Sequence, residues 1–438
     1  RAQRALPASP NWRLFAGAVQ KDEFPGLPGE FRRELFEVVC IGAGPGSIEV
    51  LLRPLQQRFQ GLMQQPGFAE RCQQETVRQE MECCLEQLRG VSRAGLSGRA
   101  QAQTFLRFAT EAQLLASLVQ LMDLCHMHHS VVILIIRCFD DLVLSHSMFD
   151  SEEGAPVLCD KCLQLVQVYA SHSASSHTTN AVMMGSGAVA SATTAGPSAS
   201  AEEDEALETL QALLDLLVHM TEWDMLDVAG EGGGRKFDVG AVSFMGLSLI
   251  LKLVTPTALE VPSVSQQFFG LLLHLVEVYP DRLSGLDPQL FGVILQAIVY
   301  ALDNACLEVC KCGFRAVTAM ALYHYGTQCR SPLGRSDFFP RMCSKVLRMC
   351  IDCYFDSSLL MSVGAACWAL FCVLQDQAQP LMQACVADHP QAYRIAVAFQ
   401  QLVTANDVRF NNTCRQHKTS FNNNFEVFVA IMRALRMK

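Results

Sequence analysis

The feature that most restricts this chain is a helical hydrophobic pattern interrupted at a nearly constant interval. From Val239 to Phe355 the sequence runs in blocks that place Leu, Val, Phe or Ile at i, i+3, i+4 and i+7. That spacing gives a helix one apolar face. The blocks stop at Pro256, Pro262, Pro280, Asp287-Pro288 and the run 330–335. Such residues end one helix and start the next. Blocks beginning near Val239, Pro288 and Arg335 recur about every 47 to 49 residues, with a further helix between each pair, close to the period of HEAT-type repeats. Two antiparallel helices cannot bury their own apolar faces, so each pair has to stack on its neighbours. The expected fold is all-α, an α-solenoid of HEAT-type helical repeats with an armadillo-like superhelix.

Composition agrees with that expectation. Of 438 residues, 50% are hydrophobic and only 18% charged, which suits helices covered on two sides. No uninterrupted apolar run approaches the roughly 18 residues of a membrane span; the run 131–136 is cut at once by Arg137. A net charge of −9 argues against a nucleic-acid groove, which needs clustered Lys and Arg, and suits a basic partner. The 19 cysteines are scattered and odd in number, with Cys306, Cys310, Cys367 and Cys372 set in apolar helical stretches. Together with the lack of a secretion signal, this predicts reduced, buried thiols rather than a disulfide framework. The first residue is Arg1 rather than Met, so the chain reads as a fragment of a longer one.

Residues 1–29 read as an irregular segment, with Pro7, Pro10, Pro25 and Pro28 opposing a long helix. Residues 30–170 carry the first repeats. Helices are expected at 31–40, 48–63 (with Pro54 near its start), 68–88, 105–124, 130–144 and 156–169, and a loop at 92–98. Residues 171–201 are almost entirely Ser, Ala, Thr, Gly and His and read as a disordered insertion. Repeats resume over 202–438. Glu202 to Glu205 open a helix where its dipole favours acid, and 229–234 is a glycine-rich turn.

Three motifs invite a chemical reading. Gly42, Gly44 and Gly46 lie near dinucleotide-loop spacing, but Ser47 stands where the third glycine belongs and no βαβ unit follows. An inter-helix loop is expected instead. The pairs Cys159/Cys162 and Cys350/Cys353, with Cys310 and Cys312, could serve zinc or redox chemistry only if four ligands converged. On a helix, cysteines three apart simply share a face. His126, His128 and His129 sit at a helix junction without a zincin glutamate. No catalytic residue, cofactor-binding residue or metal ligand is therefore assigned, and no enzyme activity is expected. Acidic residues at 140–141, 160, 287, 303 and 352 are mostly solvated charge, or else they line an acidic wall for a basic cargo.

From Ser130 onward the chain resembles the exportins of the importin-β (karyopherin) superfamily of nuclear transport receptors. The resemblance is carried by GLSLILKLVTP at 246–256, Val261-Pro262, Gln267-Phe268-Phe269, HLVEVYPDRLSGLDPQLFGVIL at 274–295 and ALDNACLEVCKCGFRAV at 301–317. LQLVQVY at 163–169, the acidic run at 202–204 and the ending at 421–438 fall in matching order. It covers about 300 of the residues as a helix-by-helix pattern, not a catalytic signature. The insertion at 171–201 departs from the family pattern. A HEAT scaffold that works without a GTPase shares the same repeat signature.

The resemblance implies a receptor that shuttles between nucleus and cytoplasm. It would bind protein cargo together with Ran-GTP, touch nuclear pore proteins, and need no cofactor, nucleic acid or membrane insertion. In one branch of the family the cargo is the hypusine-bearing translation factor 5A and Smad-type proteins. It also implies that the repeats carrying the main Ran contact lie before residue 1. In the family register, helices near 154–170, 239–254, 288–302, 335–355 and 390–404 face inward. On that assignment Asp160, Asp303 and Asp352 are the expected cargo-binding residues, complementary to a polycation.

Overall fold

The computed structural model describes residues 9–21, 23–24, 26–147, 154–176, 197–227, 239–283, 285–335, 337–352, 355–405 and 415–436. Among them the regular elements are helices, with no strand. The chain is all-α and built as a helical-repeat array in which each helix packs on its near neighbours in sequence. It divides into two compact units, Arg1–Gln267 and Phe268–Lys438.

The first unit contains α1 (Pro10–Gln20), α2 (Gly29–Ala43), α3 (Ile48–Met63), α4 (Glu75–Ala94), α5 (Arg99–Glu111), α6 (Leu114–Cys125), α7 (His129–Ser147), α8 (Ala155–Ser176), α9 (Pro197–Asp227) and α10 (Val239–Ile250). The boundary falls within α11 (Pro262–Val278). Helices α2, α4, α7 and α9 stack side by side in one row. In the second row α3 meets α5 and α6, α6 meets α8, and α8 meets α10. Such an arrangement asks each helix of the first row for apolar contacts on more than one side. Helix α4 meets this demand with Val77, Met81, Cys84, Leu85, Leu88 and Val91, all buried.

The second unit contains α12 (Pro288–Leu302), α13 (Leu307–Gly326), α14 (Phe338–Asp352), α15 (Leu360–Leu374), α16 (Ala378–Val386), α17 (Ala392–Ala405) and α18 (Arg415–Arg436). Here α13, α15 and α18 stack as a row, with α12 on α13, α14 on α15, and α17 on α18. Asp287 caps α12 by accepting a hydrogen bond from the Gln289 amide at 2.9 Å, and Pro288 occupies the first turn where no donor is needed. Five buried phenylalanines knit the end of the unit together. The Phe371 ring meets Phe399 and Phe421 edge-on at 5.6 and 5.9 Å. Phe425 stands 6.0 Å from Phe421 and 6.1 Å from Phe428.

Close stacking needs small residues at the crossings. A methyl group on Gly90 of α4 would collide with the Arg33 carbonyl and Phe36 of α2. On α15 a methyl at Gly364 would press to 3.0 Å from Phe425 of α18. The same crossing of α2, α4 and α7 encloses charge. Arg89 Nε donates to Asp141 Oδ2 at 3.0 Å, with both side chains buried. Arg93 lies 3.6 Å from the other Asp141 oxygen and 3.0 Å from Glu37. Burial raises the Asp141 carboxyl pKa, and the two guanidinium groups oppose that rise.

Several local expectations need correction. The N-terminal segment is not irregular throughout: α1 begins at Pro10, whose missing N–H falls among donors that lack helical partners anyway. Trp12 of that helix lies over Gly42 of α2 so closely that no side chain fits there. Pro54 is not near the start of α3 but six residues inside it. The helix expected at 68–88 is a short turn at Phe68–Arg71 followed by α4, which runs on to Ala94 through part of the expected loop. The helix expected at 105–124 is two, broken where Gln113 takes a left-handed φ of 53°. Helices α8 and α9 extend to Ser176 and from Pro197 into the expected insertion, whose remaining residues 177–196 lie outside the described ones, as does the turn at 229–234. Because α9 starts at Pro197, the acidic run at 202–205 falls beyond the first turn, past the reach of the helix dipole.

One stretch, Ser357–Val386, is apolar enough by length and composition to cross a membrane, contrary to the expectation that none exists. It is two helices, α15 and α16, separated by a 3₁₀ turn at Gln375–Gln377. Helix α15 is buried on nearly every side against α13, α14 and α18, which is why it is so apolar.

Replacing Asp141 by Ala leaves Arg89 buried without its carboxylate and should cost about 3–5 kcal/mol in urea denaturation. Replacing both partners by apolar residues, Asp141→Leu with Arg89→Met, should cost clearly less. Equal losses would show that the pair contributes nothing specific.

Candidate functional site

The three aspartates expected to contact cargo lie at the surface. Asp160 is on α8 in the first unit, and its carboxylate accepts from Gln164 Nε2 at 2.8 Å. Lys161 stands 4.0 Å away, at the limit of an ion pair. Asp303 and Asp352 belong to the second unit. Asp303 ends α12, and both of its oxygens lie 2.6 Å from Lys345 Nζ of α14. Its charge is therefore offset locally, although an exposed pair of this kind contributes less than about 1 kcal/mol. Asp352 is the last residue of α14, and its carbonyl accepts from Arg436 Nη1 of α18 at 2.8 Å. In each unit the helices bearing these residues belong to the more openly packed row.

The other aspartates read as candidate wall charges are tied down. Asp140 of α7 accepts from His219 Nδ1 of α9 at 2.5 Å, Asp141 is buried in the ion network, and Asp287 is a helix cap. Glu208 of α9 takes Arg137 at 2.7 Å and His129 at 2.9 Å, both from α7. Asp215 accepts from Gln267 at 2.5 Å, and burial together with Asp140 raises its pKa. The bonds of Asp140 and Glu208 form a polar ladder between α7 and α9 that spacing along the chain does not reveal, since its partners are about 70 to 80 residues apart.

Two arrangements resemble catalytic groupings. Thr209 Oγ1 lies 3.3 Å from His129 Nδ1, whose other nitrogen meets Glu208. That hydroxyl is buried and already donates to the Glu205 carbonyl at 2.9 Å, so it presents no nucleophile to a cleft. Ser331 Oγ lies 2.6 Å from His324 Nδ1, with the His324 ring stacked on Phe339 at 5.1 Å. Here too both groups are buried, and Gly334 packs against the imidazole. Their evident work is to fold down the loop after α13, where Gln328 and Cys329 hold left-handed φ values of 56° and 58°.

The histidines at the α6–α7 junction turn to separate partners. His126 Nδ1 meets the Asp123 carbonyl at 2.8 Å and its ring stacks on His172 at 3.7 Å. His128 faces Arg78 at 3.5 Å, and burial and that charge lower its pKa. Cys159, Cys162 and Cys350 are buried; burial pushes the first two thiols up, away from the reactive thiolate form. Cys353 lies outside the described residues. Cys310 is pushed up to about 11, first by burial, and its thiol donates to the Asn304 carbonyl at 2.9 Å. Among the described residues no group of three or more His, Cys, Asp or Glu side chains is placed to hold a metal ion. Residues 38–43, where a dinucleotide site would need a strand, are the end of α2, and Gly44 turns the chain with φ 74°. No protein-family model matches the sequence.

Burial lowers the His324 pKa, so the folded chain favours the neutral ring. The stabilisation is present above the unfolded value of about 6.5 and is lost as pH falls below it. Between pH 7.5 and 5.5, amide exchange in residues 327–335 of the native chain should accelerate, after correction for intrinsic rates. His324→Gln should flatten that dependence; an unchanged slope would assign it to another group.

Proposed function

We propose that this chain is an exportin-4-like nuclear export receptor that binds protein cargo cooperatively with Ran-GTP and moves between nucleus and cytoplasm. The observation that carries the reading is the run of family-like residues over 246–317, which lies on α10 to α13. A helical-repeat array suits that role because it offers long rows of exposed side chains and tolerates partners of many shapes. The net charge of −9 favours a basic cargo, for which hypusine-bearing translation factor 5A is the leading candidate and Smad-type proteins the next. In this proposal Asp160, Asp303 and Asp352 supply part of the attraction, and the chain catalyses nothing. The exportin-7 and Ran-binding-protein-17 branch is the alternative within the same family.

A pull-down with the chain, with and without Ran locked in its GTP form, tests the reading. Cargo retained only with Ran-GTP supports an exportin, and cargo retained only without it indicates an importin. Retention indifferent to Ran leaves a plain scaffold and sinks the proposal. Within the positive outcome, Asp160→Lys combined with Asp303→Lys should weaken affinity for hypusinated cargo by at least about tenfold. Unchanged affinity would remove these aspartates from the contact.

A further inference from the structure

Residues 64–74 join α3 to α4, and among them only Phe68 and Cys72 are buried. The segment holds a single helical turn, Phe68–Arg71, entered through Gly67 at φ 69° and closed by Cys72. A stretch with so few buried side chains opens without unfolding its neighbours. Cys72 is half of its anchorage. Its Sγ lies 3.1 Å from the Ala69 carbonyl and 3.8 Å from the carbonyl of Leu124, 52 residues away on α6. The next residue, Cys125, ends α6, and its thiol is in hydrogen-bond contact with that of Cys72. Both side chains are buried, at 3% and 2% exposure.

Position and chemistry set this pair apart. Each cysteine closes a helical element, where a small backbone shift brings the two Cβ atoms to disulfide distance without breaking helical bonds. Cys350 and Cys367 are also in contact, but they sit inside α14 and α15 in a closed core. The thiols of the pair are not equivalent. Burial first, then the charge and hydrogen bond of Cys72, push the Cys125 thiol up to about 12. Cys125 therefore keeps its proton when Cys72 loses one, and its S–H steadies the Cys72 thiolate.

We propose that Cys72 and Cys125 form a thiol pair oxidised by hydroperoxides, whose disulfide ties the α3–α4 connection to the end of α6. The Cys72 thiolate attacks one peroxide oxygen: an S–O bond forms, the O–O bond breaks, and the leaving alkoxide or hydroxide takes up the proton that Cys72 released. The Cys125 sulfur then attacks the sulfur of the Cys72 sulfenic acid. An S–S bond forms, the S–O bond breaks, and the hydroxide leaves as water with the Cys125 proton. Two thiols lose two electrons and one peroxide gains them, and an added dithiol reverses the change by exchange. The inference does not rest on nuclear transport.

Peptide mass spectrometry without reductant tests the pair, on the folded, reduced chain treated with hydrogen peroxide and then alkylated. Oxidation of the exposed Cys329 sets the dose. A Cys72–Cys125 cross-link is expected as the leading disulfide, removed by dithiothreitol, with no Cys350–Cys367 cross-link beside it. Amide exchange over residues 64–74 should then slow about tenfold or more against the reduced chain. Cys125→Ser, with the circular dichroism of the parent, should instead leave a Cys72 sulfenic acid that a dimedone probe labels. Cys72→Ser should leave Cys125 unlabelled. No cross-link at a dose that oxidises Cys329 would overturn the proposal, as would a cross-link that forms only in the guanidinium-unfolded chain. Exchange over 64–74 that the cross-link leaves unchanged would overturn it too.

Discussion

A helix that is apolar on more than one side cannot be satisfied by a single partner, and the whole architecture depends on that constraint. Helix α15 shows it most clearly: Val363, Cys367, Leu370 and Leu374 lie along one stripe, Trp368 and Phe371 along another, and all are buried. Covering both stripes takes α13, α14 and α18 together. At about 25 cal/mol per Å² of apolar surface, an uncovered stripe of several large side chains would cost several kcal/mol. Stacking in rows is the arrangement that leaves none of them wet. Gly90 and Gly364 serve the same end, since they let backbones approach where a side chain would hold the helices apart.

The stacked rows also decide where charge can go. In the first unit the α2–α4–α7 crossing admits Arg89 and Asp141 only because each supplies the other's partner and Arg93 and Glu86 complete the network. Between α7 and α9 the rungs Arg137–Glu208 and Asp140–His219 do similar work nearer the surface. Acidic side chains face water on both rows, Glu203 to Glu205 of α9 and Glu34 of α2 among them, and so do the three aspartates named above. Asp160, Asp303 and Asp352 share that property but not their surroundings. Asp160 is bonded within its own helix, Asp303 is held by Lys345 and Asp352 edges a cavity. Charge reversal at the first two acts on solvated carboxylates, whereas Asp352 belongs to a shaped opening.

How much was legible beforehand varies by element. Helices at 239–250, 288–302, 307–326 and 360–374 were readable because their apolar residues repeat at helical spacing, and Asp287-Pro288 marks the start of the second. Breaks without such punctuation were not. Nothing at Ala112-Gln113 announces that α5 ends there, since Gln is an ordinary helix former and its left-handed φ is imposed by the packing of α5 and α6 on α7. Proline misled in both directions: Pro10 starts a helix where a break was expected, and Pro54 sits well inside one. Its local preference is weak beside the burial of Leu51, Leu52, Leu55 and Phe59 on the same helix.

What the sequence by itself determined is the class of fold, because the period of apolar residues and its regular interruption permit only helices that must stack. The acidic balance was likewise present in the residues. Tertiary structure alone decided which charges are spent internally. Asp140 and Asp141 are neighbours in sequence, yet one meets α9 and the other is buried with Arg89 of α4. It alone assembled the cavity, whose walls come from residues 351–352, 389–395 and 432–436. The physical reason is that a helix's own period sets which face is apolar, while the identity of the groups opposite any one side chain depends on how distant helices cross.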